Sequence, residues 1–127
     1  IKGVHILLAE DNELNMEIAE FMLQNEGADV TKAWNGREAV EIFRKSEPDE
    51  FDVILMDIMM PVMNGYEATK MIRSLEREDA KTIPIIAMTA NAFTEDRLKA
   101  KEAGMDEHIA KPVDPELLVK VIYESVD

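Results

Sequence analysis

The fold is decided by one stretch of the sequence, Phe51-Asp52-Val53-Ile54-Leu55-Met56-Asp57. Its four consecutive apolar residues, Val53 to Met56, favour a strand that is buried on both faces, as in a parallel sheet. The run ends at an acid, Asp57, and an irregular segment with Pro61 and Asn64-Gly65 follows. This pattern predicts a central strand whose carboxyl end opens into a loop.

Similar short apolar runs recur along the chain, and segments with helical spacing separate them. Strands are predicted at 4–9, 28–33, 51–56, 83–88 and 107–110. Helices are predicted at 13–26, from Asn35-Gly36 to before Pro48, around Met71 to Leu75, at 94–103, and from Asp114-Pro115 onward. Five strands alternating with five helices predict one α/β domain over residues 1–127, with a doubly wound parallel sheet.

The composition limits what such a domain can bind. The 127 residues include 27 acids and 14 bases, which gives a formal net charge of −13. This surplus of acid argues against binding to nucleic acid or to an anionic membrane surface. The absence of cysteine excludes disulfides, thiolate metal sites and a cysteine nucleophile. The apolar runs are too short to span a bilayer, and no signal peptide is visible.

Polar residues follow the ends of four predicted strands. Glu10 and Asp11 follow the first, Asp57 the third, Thr89 the fourth and Lys111 the fifth. In an open parallel sheet these ends form one edge, where ligands bind. Carboxylates that lie together repel each other unless a cation holds them. An oxygen-only ligand set favours a hard ion, and Mg²⁺ is the natural choice.

Four motifs in this cluster closely resemble the receiver domain of two-component response regulators. They are Glu10-Asp11-Asn12, the stretch 56–65, Thr89-Ala90-Asn91 and Lys111-Pro112, in the family's order over essentially the whole chain. The segment Asn64-Gly65-Tyr66-Glu67-Ala68 is most similar to receivers of hybrid sensor histidine kinases. The resemblance implies a flavodoxin-like five-stranded sheet in the order 2-1-3-4-5, and a phosphoacceptor signalling domain.

The resemblance also implies a role for each residue of the cluster. Asp57 would be the phosphoacceptor, taking a phosphoryl group from a phosphohistidine of a histidine kinase or histidine phosphotransfer domain. Lys111 would supply positive charge to the phosphoryl oxygens, and Lys111-Pro112 would be a cis peptide. Thr89 would hydrogen-bond the phosphoryl group and act as a switch. Mg²⁺ would be held by Glu10, Asp11, Asp57 and the backbone carbonyl of Met59.

One position departs from the commonest pattern of the family. The second switch residue, three places before Lys111, is usually Tyr or Phe, and here it is His108. Histidine can take the rotamer role, but it is less apolar and titrates near neutral pH. The sequence leaves two interpretations of His108 open: a switch residue, or an ordinary histidine of an edge strand.

Other functions remain open on the sequence. A phosphatase with an aspartyl nucleophile would want a second acid two residues after Asp57, where this chain has Met59. A receiver that serves only as a binding scaffold would not need the complete acid, threonine and lysine set. A flavin-binding relative would need a Ser/Thr-rich phosphate loop after the first strand, where the acids of Glu10-Asp11-Asn12 would repel phosphate.

Two further segments carry expectations about the surface. Met59, Met60 and Met63 follow the central strand, and they either form an adaptable apolar rim for a partner helix or fill gaps in the packing. The charged run at 76–79 is expected to be a solvated helix end.

The context of the domain is an expectation as well. The chain begins with Ile1, which favours a piece of a hybrid kinase that would pass the phosphoryl group onward to a histidine phosphotransfer domain. The alternative is a stand-alone response regulator. We expect a monomeric cytoplasmic domain, including the case of the cytoplasmic part of a membrane-bound kinase. It is not expected to be a turnover enzyme, although it would assist its own phosphorylation and its own dephosphorylation, which would be slow.

Overall fold

The computed structural model describes residues 1–90 and 94–126, and in this part of the chain five strands and six helices form a doubly wound α/β fold. The strands make one parallel sheet in the order β2-β1-β3-β4-β5, which confirms the predicted flavodoxin-like class. They are β1 (His5–Ala9), β2 (Asp29–Ala33), β3 (Val53–Asp57), β4 (Ile85–Thr89) and β5 (Glu107–Ala110). The helices are α1 (Glu13–Asn25), α2 (Gly36–Lys45), α3 (Gly65–Arg73), α4 (Glu78–Thr82), α5 (Thr94–Ala103) and α6 (Pro115–Ser125).

Different helices cover the two faces of the sheet. Phe43 of α2 and Ile72 of α3 belong to the core on one face. Leu23 of α1 and Ile122 of α6 belong to the core on the other. Both central strands, β3 and β4, are buried along their whole length. The continuous apolar run at 53–56 therefore belongs to a strand that packs on both sides, as the sequence predicts.

Side-chain caps fix the points where the strand-end loops turn into helices. The Asn12 side chain accepts from the N–H of Asn15 at 2.9 Å at the start of α1. At α3 the cap is reciprocal, because Asn64 accepts from Glu67 N–H while the Glu67 carboxylate accepts from Asn64 N–H. Such bonds satisfy amide groups that the first helical turn leaves free. Among the described residues, caps of this kind are formed by Asn12, Asn35, Asn64 and Asp114.

The five predicted helices leave out α4. The prediction of a solvated run at 76–79 holds for Glu76 and Glu78, which are exposed, and is wrong for Arg77 and Asp79. The Arg77 guanidinium makes two hydrogen bonds to the Asp79 carboxylate, at 2.6 and 2.7 Å. It also donates to the carbonyls of Phe43 and Ser46 at the end of α2, at 2.9 and 3.0 Å. The Asp79 side chain is only 8 % exposed. Arg77 and Asp79 therefore form an internal attachment between α2 and α4.

The three methionines after β3 separate into different environments. Met60 is buried in the core and Met63 packs half-buried against it. Met59 is 75 % exposed. The predicted apolar rim therefore reduces to Met59, and Met60 and Met63 fill space inside the fold.

The helical spacing of Leu14, Ile18, Phe21 and Met22 predicts α1, and all of these residues except the half-buried Met22 lie on its outer face. Leu14, Ile18 and Phe21 are exposed, and Phe21 is 71 % exposed. The core-facing residues of this helix are Met16, Ala19 and Leu23. An apolar face of α1 is thus left at the surface. Within the described ranges, every helix is too short or too polar to cross a lipid bilayer.

Candidate functional site

The predicted polar residues lie at one edge of the sheet. Asp57 is the last residue of β3 and Thr89 is the last residue of β4. Glu10 and Asp11 follow β1 directly, and Lys111 follows β5. Because all five strands run parallel, their carboxyl ends meet at this edge. The topology alone therefore gathers residues that are far apart in the sequence.

Glu10 is held by three neighbouring segments. Its backbone N–H donates to the carbonyl of Ala33 at the end of β2, at 3.0 Å. Its Oε2 accepts from the N–H of Asn12 at 3.0 Å, and its Oε1 accepts from Nζ of Lys111 at 2.7 Å. The side chain is 3 % exposed. Both carboxylate oxygens are therefore directed by hydrogen bonds inside the protein.

Lys111 joins the two buried carboxylates of the cluster. Its Nζ lies 3.0 Å from Oδ2 of Asp57, in addition to its bond with Glu10. Its backbone N–H donates to the carbonyl of Thr89 at 2.7 Å, and its peptide bond to Pro112 is cis, as the resemblance implies. An ammonium group has three donors and can bridge two carboxylates. One positive charge is thus shared by two buried acids.

The two buried acids respond to this shared charge in opposite ways. Burial, together with the nearby Glu10 carboxylate, raises the pKa of Asp57 to about 6 against the opposing effect of Lys111. Burial also acts to raise the pKa of Glu10, but the hydrogen bonds from Lys111 and Asn12 outweigh it and hold that pKa below its ordinary value. Burial acts to lower the pKa of Lys111, yet its two acidic partners raise it. Glu10 and Lys111 therefore stay charged at neutral pH.

The acidic residues are close enough together to share a metal ion. One carboxylate oxygen from each of Glu10, Asp11 and Asp57 lies within 4.8 Å of the others. Asp11 is exposed while the other two are buried, so the cluster meets solvent on the Asp11 side. Three carboxylates and one ammonium leave the site short of positive charge, and all its protein ligands are oxygens. The residues present therefore fit a hard divalent cation such as Mg²⁺.

Comparison with known proteins places this arrangement in a family. The model of the response regulator receiver domain matches residues 6–123. The chain belongs to the response regulator receiver family. The receiver is 41 % identical over 123 residues to hybrid signal transduction histidine kinase I of Dictyostelium discoideum. That alignment covers 95 % of the receiver and 7 % of the kinase, so the receiver spans a small part of the length of this relative.

Solved structures resemble the receiver over almost its whole length. One is the receiver domain of sensor histidine kinase PA1611 from Pseudomonas aeruginosa PAO1, with magnesium coordinated in its active-site cleft. It shows a TM-score of 0.87 and 39 % identity, over 96 % of both chains. Another comes from the complex of Saccharomyces cerevisiae histidine phosphotransfer protein Ypd1 with the receiver domain of Ssk1. It shows a TM-score of 0.89 and 32 % identity, over 98 % of the receiver and 90 % of that chain.

The remaining predicted site residues of the receiver occupy distinct positions. Thr89 is buried and pairs in register with Ala110. His108 lies on β5 with a half-buried side chain, and it lines a surface pocket between α5 and β5. Met59 lies in the exposed part of the loop after β3. Asn91 of the Thr89-Ala90-Asn91 motif lies outside the described residues. The roles assigned to Thr89, His108 and Met59 stay predictions.

Sequence reasoning missed two glycines of the receiver that pack against the loop after β3. A Cβ on Gly65 would overlap the carbonyl oxygen of Asp57, and a Cβ on Gly36 would overlap the carbonyl oxygen of Met63. Both glycines follow an asparagine cap. The sequence predicts only a helix start at Gly36 and an irregular segment at Gly65, where α3 in fact begins. Close approach of two backbones leaves no signal in the sequence except the glycine itself.

Proposed function

We propose that residues 1–127 act as one receiver domain that accepts a phosphoryl group from a phosphohistidine onto Asp57 and then switches conformation. One observation carries the proposal: the buried Asp57 carboxylate lies 3.0 Å from the Lys111 ammonium, beside the oxygens of Glu10 and Asp11. With a pKa of about 6, Asp57 is ionised at neutral pH and more basic than an exposed aspartate. Such a carboxylate is suited to act as a nucleophile.

The proposed transfer follows from the atoms at the site. One Asp57 oxygen forms a bond to phosphorus while the bond from phosphorus to the histidine nitrogen breaks, and the imidazole leaves. The product is an acyl phosphate, which can pass its phosphoryl group to a second histidine or to water. Lys111 offers its ammonium to the phosphoryl oxygens as charge shifts onto them.

The metal ligands of the proposal are Glu10, Asp11, Asp57 and the carbonyl of Met59. Mg²⁺ held there would neutralise charge on the phosphoryl oxygens and align them for attack. The magnesium ion in the similar PA1611 receiver supports this assignment. Asp11, as the exposed member of the cluster, is the ligand whose loss should weaken metal binding with least disturbance of the core.

The proposed conformational switch involves Thr89 and His108. The Thr89 hydroxyl would hydrogen-bond the new phosphoryl group, and its movement toward that group would bias β4 and the neighbouring helix toward an active arrangement. His108, on the neighbouring strand β5, would then change its rotamer. A few charge-assisted contacts of this kind favour one of two pre-existing conformations.

We also propose a histidine phosphotransfer domain as a partner, docked on the exposed apolar face of α1. This face, formed by Leu14, Ile18 and Phe21, continues into a groove of about 500 Å³. The groove is lined by Ile18 and Met22 of α1 and also by Glu10 and Lys111 of the acidic cluster. A helix seated there would lie directly beside the phosphoacceptor. The similar complex of Ypd1 with a receiver and the hybrid-kinase relatives support a partner of this class and a hybrid-kinase context.

A small phosphoryl donor tests the chemistry without a partner. The wild type and Asp57→Asn are incubated with Mg²⁺ and acetyl phosphate, and intact mass is measured. We expect one phosphoryl adduct on the wild type and none on Asp57→Asn. Absence of the adduct from the wild type, with no release of phosphate, would leave only a scaffold function. Sustained turnover of the donor would favour a phosphatase. In parallel, Asp11→Ala should weaken Mg²⁺ binding.

A matched pair of surface variants tests the docking face. Phe21 on α1 and Tyr123 on α6 are each 71 % exposed, so replacing either with serine should disturb the fold little. We expect Phe21→Ser to slow transfer from a phosphorylated histidine phosphotransfer domain and to leave labelling by acetyl phosphate unchanged. Tyr123→Ser should leave both reactions unchanged. Equal transfer rates for the two variants would reject α1 as the docking face.

A further inference from the structure

The loop between β3 and α3 contains a strained turn. Val62 has a φ of 68°, a left-handed conformation that β-branched residues rarely adopt. The N–H of Met63 donates to the carbonyl of Pro61 at 2.7 Å and closes a three-residue turn around Val62. The Val62 side chain is 74 % exposed, so its own packing contributes little to holding this backbone. Strain of this kind persists where neighbouring structure holds the chain in place.

Two backbone hydrogen bonds hold this loop from opposite sides. On the inner side, the N–H of Gly65 donates to the carbonyl of Ile58 at 2.9 Å. On the outer side, the N–H of Gly36 donates to the carbonyl of Met63 at 3.0 Å. The Gly36 bond comes from a different part of the chain, the start of α2, and it attaches directly beside the strained turn.

The contact at Gly36 leaves no room for a side chain. A Cβ on Gly36 would overlap the Met63 carbonyl oxygen, and it would lie 2.9 Å from the Met63 carbonyl carbon and 3.0 Å from the Asn64 carbonyl oxygen. All three atoms belong to the backbone, which cannot rotate away as the end of a side chain can. A substitution at Gly36 must therefore move either α2 or the loop.

The start of α2 is the more firmly held of these two elements. Asn35 accepts from the N–H of Glu38 at 2.9 Å, and the Glu38 carboxylate accepts from the N–H of Trp34 at 3.0 Å. Gly36 itself is buried, and Ala39 and Phe43 anchor the same helix in the core. The loop, with its exposed and strained turn, is the part that yields.

We propose that Gly36 is a positioning residue for the acidic cluster. Its N–H and its lack of a Cβ hold the Val62 turn in place, and with it the nearby Met59 carbonyl that the proposed function assigns to the metal. The loop runs only from Ile58 to Asn64 between two fixed ends, so a displacement at Met63 is carried back to Met59. This inference rests on the proposed function, in which the Met59 carbonyl is a metal ligand.

Metal affinity in matched variants tests the proposal. Gly36→Ala adds one methyl group at the contact. Gly104→Ala adds one at another crowded glycine, where a Cβ would lie 2.9 Å from Cγ of Arg73, at the edge of the sheet opposite the cluster. Mg²⁺ affinity is measured by calorimetric titration after circular dichroism has established that each variant is folded. We expect Gly36→Ala to bind Mg²⁺ about 10-fold more weakly or worse, as is usual when the support of a ligand is lost. Gly104→Ala should bind like the wild type.

A measurement on the wild type covers the case in which Gly36→Ala does not fold. If the hydrogen bond from Gly36 to Met63 favours the metal-bound geometry, then by linkage metal binding must strengthen that hydrogen bond. Hydrogen exchange of the Gly36 amide should therefore slow at saturating Mg²⁺. The Gly27 amide serves as the control. It donates to the carbonyl of Gln24 at 2.9 Å, just after the C-terminal end of α1 and away from the cluster, and it should exchange at an unchanged rate.

The outcomes separate this inference from the proposed function. Unchanged Mg²⁺ affinity in folded Gly36→Ala, or a Gly36 amide that does not respond to the metal, would overturn the positioning role alone. A wild type that binds no Mg²⁺ would overturn the proposed function and this inference with it. Weaker Mg²⁺ binding by Gly36→Ala, together with slower hydrogen exchange of the Gly36 amide at saturating Mg²⁺, would support both the positioning role and the proposed function.

Discussion

Replacing Asp57, the proposed phosphoacceptor, with asparagine should stabilise the metal-free protein. The pKa of Asp57 is about 6 in the fold against an ordinary value of 3.8, mainly because the carboxylate is buried. At about 1.4 kcal/mol for each pH unit, this difference corresponds to about 3 kcal/mol that ionised Asp57 costs the folded state at neutral pH. Asp57→Asn removes this cost and keeps an oxygen that can accept from Lys111. We therefore expect a gain of about 1 to 3 kcal/mol at pH 7.5.

The gain should depend on pH with a definite sign. Because the folded state holds the Asp57 proton more tightly than the unfolded chain, the contribution of Asp57 to the free energy of unfolding of the wild type falls as pH rises from about 4 to 6. The advantage of Asp57→Asn is therefore full above pH 6 and shrinks to roughly half at pH 5. Urea unfolding in EDTA at both pH values measures it. Added Mg²⁺ should stabilise the wild type and leave the variant little changed.

The neighbouring acid supplies a control of opposite sign. The pKa of Glu10 is lowered in the fold, because hydrogen bonds from Lys111 and Asn12 outweigh its burial. Glu10 therefore contributes stability above its ordinary pKa, and that stability is lost as pH falls through the lowered value. Glu10→Gln should destabilise the protein at pH 7.5. If Asp57→Asn were no more stable than the wild type in EDTA, or if both variants shifted stability in the same direction, this account of the site's electrostatics would be refuted.

Three further predictions concern the metal, the internal attachment and a buried hydroxyl. Mg²⁺ affinity should fall about 10-fold for each pH unit below 6, since the proton on Asp57 competes with the metal; a titration series that is flat from pH 7 to 5 would contradict this. Arg77→Lys should cost about 2 kcal/mol in urea unfolding, because an ammonium cannot keep the fork of bonds to Asp79 and two carbonyls. Arg44→Lys, which alters an exposed ion pair, should lower stability much less than Arg77→Lys, and equal losses for the two variants would reject the attachment. Thr69→Val should be neutral or stabilising by about 1 kcal/mol, because the buried Thr69 hydroxyl has no hydrogen-bond partner within the described ranges; a loss of stability would indicate a hidden partner.

The sheet and the cluster could be predicted because both follow from local patterns. Runs such as Val53 to Met56 are apolar on both sides, and a strand of this kind has to be central in a parallel sheet. Once the strands are parallel, the residues after their ends must meet, whatever their separation in the sequence. This is why Glu10 and Lys111, 101 positions apart, could be placed together and form a bond of 2.7 Å.

Features that depend on contacts between distant segments could not be predicted in this way. Arginine is usually a surface residue, and the burial of Arg77 depends on its hydrogen bonds to the carbonyls of Phe43 and Ser46 at the end of α2. The spacing of Leu14, Ile18 and Phe21 predicts a helix correctly but not which side of it faces the core. Helical spacing identifies an apolar face, and in this helix that face is free for a partner.

The opposite pKa shifts of the two buried acids assign them different chemical roles. Glu10 receives the shorter bond from Lys111 and a backbone N–H as well, so it remains a carboxylate and suits the proposed role of metal ligand. Asp57 has the longer contact with Lys111 and faces the charge of Glu10, so its oxygen is the more basic of the two. When two neighbouring carboxyl groups have different pKa values, the difference separates a supporting group from a reacting one. On this argument, Asp57 is the proposed nucleophile because Glu10 has the better hydrogen bonds.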